Sequence, residues 1–350
     1  MSSRGRPPVR VTVPTVTLAH GGGGKAMRDL IADVFAGPFD NPLLAPLEDQ
    51  ARASLAELGD YGDRLAITTD SFVVDPLFFP GGDIGRLAVC GTVNDLAVGG
   101  ARPLYLSCAM IIEEGLPVDT LRRVSGSMRA AADLAGVAIV TGDTKVVQRG
   151  AADQLFITTT GIGVIPHGIS VAASQLEPGD RIVVNDFLGD HGIAILAARG
   201  DLDFETDLRS DCRPLHGLVR AMLHACPEIH AMRDVTRGGL AAVLNEFAAA
   251  SACAIEIDER ALPLRPEVRS AAELLGLDVL YLACEGALAA AVPAAASERV
   301  LAAMRAHPDG AGARIIGEVR PGAPRVVMRT AFGGSRVVDM LVGEQLPRIC

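Results

Sequence analysis

Gly91-Thr92-Val93-Asn94-Asp95-Leu96-Ala97-Val98-Gly99-Gly100-Ala101 sets an asparagine and an aspartate side by side near the end of an otherwise apolar helix. Asp83 reads as its N-cap, and the helix should run to about Val98 before the glycines stop it. Burying an Asn-Asp pair among apolar residues is unfavourable unless new partners offset the lost water. Carboxylate oxygens around Mg2+ and phosphate would do so, because Mg2+ takes one or two carboxylates together with phosphate oxygens.

Working outward, three more aspartates fall at strand ends or tight turns: Asp70 in Thr68-Thr69-Asp70-Ser71-Phe72, Asp143 in Gly142-Asp143-Thr144-Lys145, and Asp234 in Arg233-Asp234-Val235-Thr236-Arg237-Gly238-Gly239. Any one of them is an ordinary turn or capping residue. Four together point to a metal-phosphate site. The run Gly21-Gly22-Gly23-Gly24-Lys25 lacks the spacing of G-x-x-x-x-G-K-[ST] and of G-x-G-x-x-G. Four glycines before a helix can still lay backbone N–H groups over phosphates, and 234–239 offers a second anion-binding turn. Of 32 basic residues only Lys25 and Lys145 are lysines, and both lie in these motifs. A primary amine can deprotonate or act as a compact charge where a guanidinium cannot.

The chain ends Gly343-Glu344-Gln345-Leu346-Pro347-Arg348-Ile349-Cys350. A last-residue thiol has no downstream chain to fold around it, so it is a core cysteine only if the tail docks. From Gly334 onward an extended tail reaches roughly 50 Å at about 3.3 Å per residue, which suits a swinging carrier arm. Prenylation requires the cysteine four from the end, so lipidation is a poor alternative.

The 350 residues are 49% apolar, enough for two ordinary domains. A net charge of −10 argues against a nucleic-acid groove, which needs a basic face. No segment approaches 18 uncharged apolar residues and the first 13 have no signal-peptide core, so a cytoplasmic protein without a membrane partner is expected. The seven cysteines are odd in number with no C-x-x-C pair, and the histidines lack metal-ligand spacing, which disfavours a disulfide framework or a zinc site.

Patterning predicts strands at 13–19, 64–69, 103–112, 137–141 and 154–164, helices at 26–35, 83–98 and 117–135, and a turn at Gly142-Asp143. Gln175-Leu176-Glu177-Pro178-Gly179-Asp180 has linker chemistry. The second half alternates strands (181–184, 253–258, 280–284, 287–292, 312–319) with helices (190–199, 214–225, 238–250, 268–275, 294–306). The expected division is 1–172, 173–333 and a mobile tail, 334–350. Periodicity alone supports two mixed α/β domains.

His20-Gly21-Gly22-Gly23-Gly24, the Thr-Thr-Asp-Ser segment, 83–103, Gly142-Asp143-Thr144-Lys145, 234–239 and terminal Pro347-Arg348-Ile349-Cys350 occur in the order found in the HypE family of hydrogenase maturation factors, which the chain resembles over nearly its whole length. The aspartate motifs are shared with aminoimidazole ribonucleotide synthetase, selenophosphate synthetase and thiamine-monophosphate kinase; the cysteine-terminal tail singles out HypE. The resemblance implies a two-domain PurM-like (AIR synthetase-like) α/β fold whose N-terminal domain contributes to a dimeric β-barrel, and hence a homodimer. It further implies an ATP-dependent carbamoyl dehydratase that makes the cyanide ligands of [NiFe]-hydrogenase. In such chemistry a HypF-type carbamoyltransferase loads Cys350, ATP drives dehydration of the S-carboxamide to a thiocyanate, and the cyano group passes to iron on a HypC–HypD-type complex. The matching positions assign Asp70, Asp95 and Asp143 to Mg2+, and Gly21, Gly22, Gly23, Gly24, Lys25, Asn94, Thr144, Asp234 and Thr236 to ATP. Lys145 and Glu285 join Cys350 as catalytic groups, Glu285 as base and Lys145 as charge stabiliser or proton relay. Two other readings stay open: a relative that phosphorylates a small free molecule, and a carrier or scaffold that has lost ATP.

Overall fold

Four strands, β1 (Arg64–Phe72), β2 (Arg102–Glu113), β3 (Ala138–Val147) and β4 (Leu155–Ile165), form a sheet in the order β1-β4-β2-β3 in the computed structural model, which describes residues 10–200, 206–341, 343, 346 and 348–350. The readings that fall on 1–9 and on tail positions 342, 344, 345 and 347 lie outside the described residues. All pairs are antiparallel except β2 with β3. Strand alternation splits the sheet into two faces. Cys108, Met110, Leu155 and Ile157 turn inward and share one core with Leu30 of α1 (Lys25–Leu30), Leu87 and Val93 of α2 (Ile84–Val98) and Leu121 of α3 (Val118–Ala135). Leu65, Ile67 and Ile111 stay exposed on the other face.

The second domain carries β5 (Arg181–Val184), β6 (Ala231–Asp234), β7 (Ala254–Asp258), β8 (Leu288–Val292), β9 (Arg314–Arg320), β10 (Arg325–Arg329) and β11 (Ser335–Val338), in the order β11-β10-β7-β9-β5-β8-β6. Helices α4 (Asp190–Arg199), α5 (His216–Ala225), α6 (Gly239–Ser251), α7 (Pro266–Leu275) and α8 (Ser297–Arg305) complete it. In β8, Ala289 and Ala291 feed one core while Leu288, Ala290 and Val292 feed another, so both faces of this strand are covered.

Helix α2 joins the domains. Asp83 caps it by accepting from the N–H groups of Gly85 and Arg86, as its sequence signals. Thirteen of its fifteen residues are buried, which a one-sided surface helix cannot achieve. It packs on β1 and β4 on one side and on β6 and α5 on the other.

Several expectations change. Residues 13–19 are not a strand: Pro14 lacks an N–H, only Thr15 bridges, to Pro117, and Leu18–Gly21 closes into a 3-10 turn. No turn interrupts β3 at Gly142-Asp143, because Gly142 lies against the Cys108 carbonyl, where a Cβ would come within 2.2 Å of the oxygen. The 280–284 stretch starts as a 3-10 turn, Val279–Tyr281, with the Asp278 carboxylate accepting from the Leu280 N–H. Strands β6, β10 and β11 had no strong alternating signal. Pairing of β11 with β10 carries the second sheet to Val338, beyond the residue 334 taken as the start of the tail.

Candidate active site

Asp70 and Asp95 meet because β1 lies directly against α2. Asp95 accepts from Thr68 Oγ1 at 2.6 Å. Burial and the neighbouring Asp95 push Asp70 up to about 6, with Arg237 opposing. At the end of β6, Asp234 is pushed up to about 7 by burial and by Asp95 and Asp70. The domain junction thus gathers like charges that disfavour one another's ionisation.

Glu285 completes the cluster from the loop before β8. Its N–H and that of Gly286 donate to the two carboxylate oxygens of Asp211, at 2.9 and 3.0 Å, and the Cys284 N–H donates to the Val235 carbonyl at 2.8 Å. A Cβ on residue 286 would sit 1.9 Å from the Asp211 carbonyl oxygen, so this bend accepts only glycine. Glu285 is 2% exposed, and its Oε1 has no hydrogen-bond partner. Burial, followed by Asp211, Asp234 and Asp70, holds its carboxyl well above the usual carboxylate range. An orphaned buried oxygen costs about 1–3 kcal/mol, which marks it as a reserved contact for something that enters the site.

The tail delivers Cys350 to this group. Its thiol is pushed well up by burial and by Glu285, while the Arg237 guanidinium opposes. Two carbonyls hold the tail in place: Ile349 O accepts from His191 Nε2 at 2.6 Å, and Arg348 O accepts from the Asp75 N–H at 3.2 Å and from Arg199 Nη2 at 2.7 Å. The Arg348 guanidinium pairs with Asp75 and Asp153, and the Ile349 side chain enters the N-terminal core. A cavity of about 490 Å³ beside the thiol is lined by Arg237, Gly238, Tyr281, Arg348, Ile349 and Cys350.

His191 makes this docking pH-sensitive. Burial pushes its imidazole from the ordinary 6.5 down to about 4, so Nε2 donates to the tail while neutral Nδ1 accepts from Ser210 Oγ at 2.8 Å. A depressed histidine stabilises the docked form fully above about pH 6.5 and progressively less as pH falls toward 4. Tail release is therefore expected to rise on the order of tenfold between pH 7 and 5. Modification of Cys350 by a methanethiosulfonate, normalised to free glutathione at each pH, measures it; an unchanged ratio, or the same rise in His191→Gln, removes His191 from this role.

The remaining expected residues separate. Asn94 ties α2 to the Glu285 loop: its Nδ2 donates to the carbonyls of Arg213 and Glu285, and its Oδ1 accepts from the Leu215 N–H at 2.7 Å. Asp143 lies three strands from Asp70, roughly 14 Å across the sheet. Paired beside Ala109 and Ile111, Asp143 and Lys145 are exposed on the opposite face. Gly23, Gly24, Asp143 and Thr144 line a separate cleft of about 1130 Å³ with Met27 and Met110. Gly21 packs on Val146, Lys25 begins α1, and Thr236 accepts from the Gly239 N–H in the 234–239 turn. Among the described residues, no three histidine, cysteine or acidic side chains converge on one metal position. Sequence reading misses Asp211, His191 and Arg237 as site groups; Arg237 lies inside a motif it quotes, but the other two carry no local signal.

Residues 48–165 match the AIR synthase related protein N-terminal domain and 177–329 the C-terminal domain, which sets the class that the two-sheet fold and acidic junction define. A carbamoyl dehydratase HypE of Rhodobacter capsulatus is 61% identical over 336 residues, covering 96% of this chain and 98% of the relative. The crystal structure of a hydrogenase maturation protein HypE in complex with ATP superposes with a TM-score of 0.90 at 49% identity, covering 95% of this chain and 99% of that one. A HypE–HypF complex structure gives 0.77 at 46% identity, covering 89% and 99%. The chain belongs to the HypE family of carbamoyl dehydratases.

Proposed function

We propose that this chain uses ATP to dehydrate an S-carboxamide carried on its own Cys350 to a thiocyanate, supplying the cyanide ligands of a [NiFe]-hydrogenase iron centre. The observation that carries the reading is the terminal thiol docked beside the buried, unpartnered Glu285 oxygen. A HypF-type carbamoyltransferase loads the thiol, in keeping with the HypE–HypF complex of a relative. The carboxamide oxygen then attacks the γ-phosphorus; the O–P bond forms as the bond to ADP breaks. Loss of the N–H protons and cleavage of the C–O bond expel phosphate and leave S–C≡N. An amide oxygen is a poor leaving group, and phosphorylation makes this elimination feasible.

Glu285 is the acceptor for an N–H proton. A cation bound by its acidic neighbours removes their repulsion and shifts its carboxyl toward the base form, against the burial that is the largest cause holding it protonated. Those neighbours suit Mg2+, because crowded carboxylates relieve their repulsion around a cation that also needs phosphate oxygens. Asp70 and Asp95 would hold it, with Asp234 approaching from the second domain. When bound, Mg2+ supplies charge neutralisation at the transferring phosphate.

A homodimer accounts for Asp143 and Lys145. The exposed face bearing Leu65, Ile67 and Ile111 is covered when two sheets close together, and the Asp143 and Lys145 side chains on that same face then meet the second copy. Gly22–Gly24 and Thr144 line the nucleotide's path, and the cyano group leaves for a HypC–HypD-type iron complex. Among the described residues no helix is long and apolar enough to cross a membrane.

Intact mass tests the reading. With carbamoyl phosphate and a HypF-type partner, the chain should gain about 43 Da, falling to about 25 Da after Mg-ATP as one water is lost. No adduct with a competent partner would end this reading in favour of phosphorylation of a small free molecule.

A further inference from the structure

Arg237 is unlike the other cations near the domain junction. Four residues earlier, Arg233 is paired with Glu246, and on the other side Arg213 is paired with Asp186. Among the described residues Arg237 makes no ion pair within 4.0 Å, yet it stands near Asp70 and Cys350. Its side chain is exposed to the 490 Å³ cavity it shares with Cys350, and its guanidinium faces both the Cys350 thiol and the Asp70 carboxylate. It therefore lies between the atom that carries the carboxamide and the end of the site where phosphate and metal meet.

We infer that Arg237 is a catalytic residue that holds the carboxamide oxygen on Cys350 and the phosphoryl group passing to it. This rests on the carrier reading of Cys350. A carboxamide on sulfur puts its oxygen two bonds beyond Sγ, toward the cavity. A guanidinium has five N–H donors in a rigid fork, enough to hold that oxygen and a phosphoryl oxygen together, which an ammonium cannot match. As the O–P bond forms and the bond to ADP breaks, negative charge spreads over the phosphoryl oxygens facing it. One N–H proton passes to water as the O–P bond forms, and the second leaves toward Glu285 as the C–O bond breaks with phosphate taking the electron pair. The backbone sets this placement: Gly238 and Gly239, both at positive φ (83° and 62°), turn the chain from β6 into α6 immediately after Arg237.

The test uses the full chain, loaded to the S-carboxamide by a HypF-type carbamoyltransferase and purified. Mg-ATP is then added, and loss of water and phosphate release are timed. Arg237→Ala should load normally, melt with the wild type and dehydrate about 10²–10³-fold more slowly. Arg237→Lys should recover at most about tenfold of that loss, and millimolar guanidinium should restore Arg237→Ala by about tenfold or more. A merely structural role would give no such rescue. Conversion by Arg237→Ala within about threefold of wild type, or a slow variant that guanidinium does not help, overturns the assignment. If wild-type carboxamide itself fails to convert, the carrier reading falls and takes this inference with it, a result distinct from failure of the variants alone.

Discussion

Cys350→Ala is expected to give no adduct at any concentration of partner, carbamoyl phosphate or Mg-ATP, while folding and nucleotide binding persist. On the proposed mechanism the loss is complete, because the thiol carries the substrate. Cys90, Cys108, Cys212, Cys226, Cys253 and Cys284 are all buried and cannot replace it. The fold should barely change. Tail docking is held by the Ile349 and Arg348 carbonyls, the Arg348 ion pairs and the Ile349 side chain, none of which involves Sγ. The expected stability change is within about 1 kcal/mol. Intact mass reads the modification and thermal unfolding with and without Mg-ATP reads binding. Full turnover of a free small molecule by Cys350→Ala would show the terminal cysteine to be incidental.

Glu285→Gln should load as well as wild type and then stall, with dehydration slowed about 10²–10⁴-fold, the range for loss of a positioned acid-base group. Glutamine keeps the size and accepts the same buried setting, so the Asp211 contacts to the backbone of residues 285 and 286 survive. It also removes a carboxyl that burial, Asp211, Asp234 and Asp70 all disfavour in its ionised form. Thermal stability should therefore match the wild type below about pH 4.5 and exceed it at neutral and alkaline pH, because the unfolded wild-type chain ionises this carboxyl where the buried one does not. Single-turnover conversion of preloaded protein is the measurement; a rate within about fivefold of wild type would remove Glu285 from the chemistry.

Much of this is legible in the chain because it is local. Asp83 immediately ahead of an apolar run marks the start of α2, and Gly99-Gly100 marks its end. The Asn94-Asp95 pair, misplaced for a simple core helix, signals a junction that needs polar partners. Asp95 faces Thr68 and Asp70, while Asn94, one position earlier and so about 100° around the helix, meets the backbone of Arg213, Leu215 and Glu285. The same limit explains Asp143 and Lys145. Their motif reads as phosphate and metal chemistry, but strand order and face place them across the sheet from Asp70, and neither is written in local spacing.

By itself the sequence determined the class of fold, the acidic motifs and a terminal thiol on a reach long enough to visit them, because apolar period, capping and turn chemistry act over a few residues. Only the tertiary structure decided which groups meet. Asp211 beneath Glu285, His191 on the Ile349 carbonyl and Arg237 beside Cys350 come from distant parts of the chain, and their pKa values follow from burial and from neighbours that exist only once the two domains close on α2.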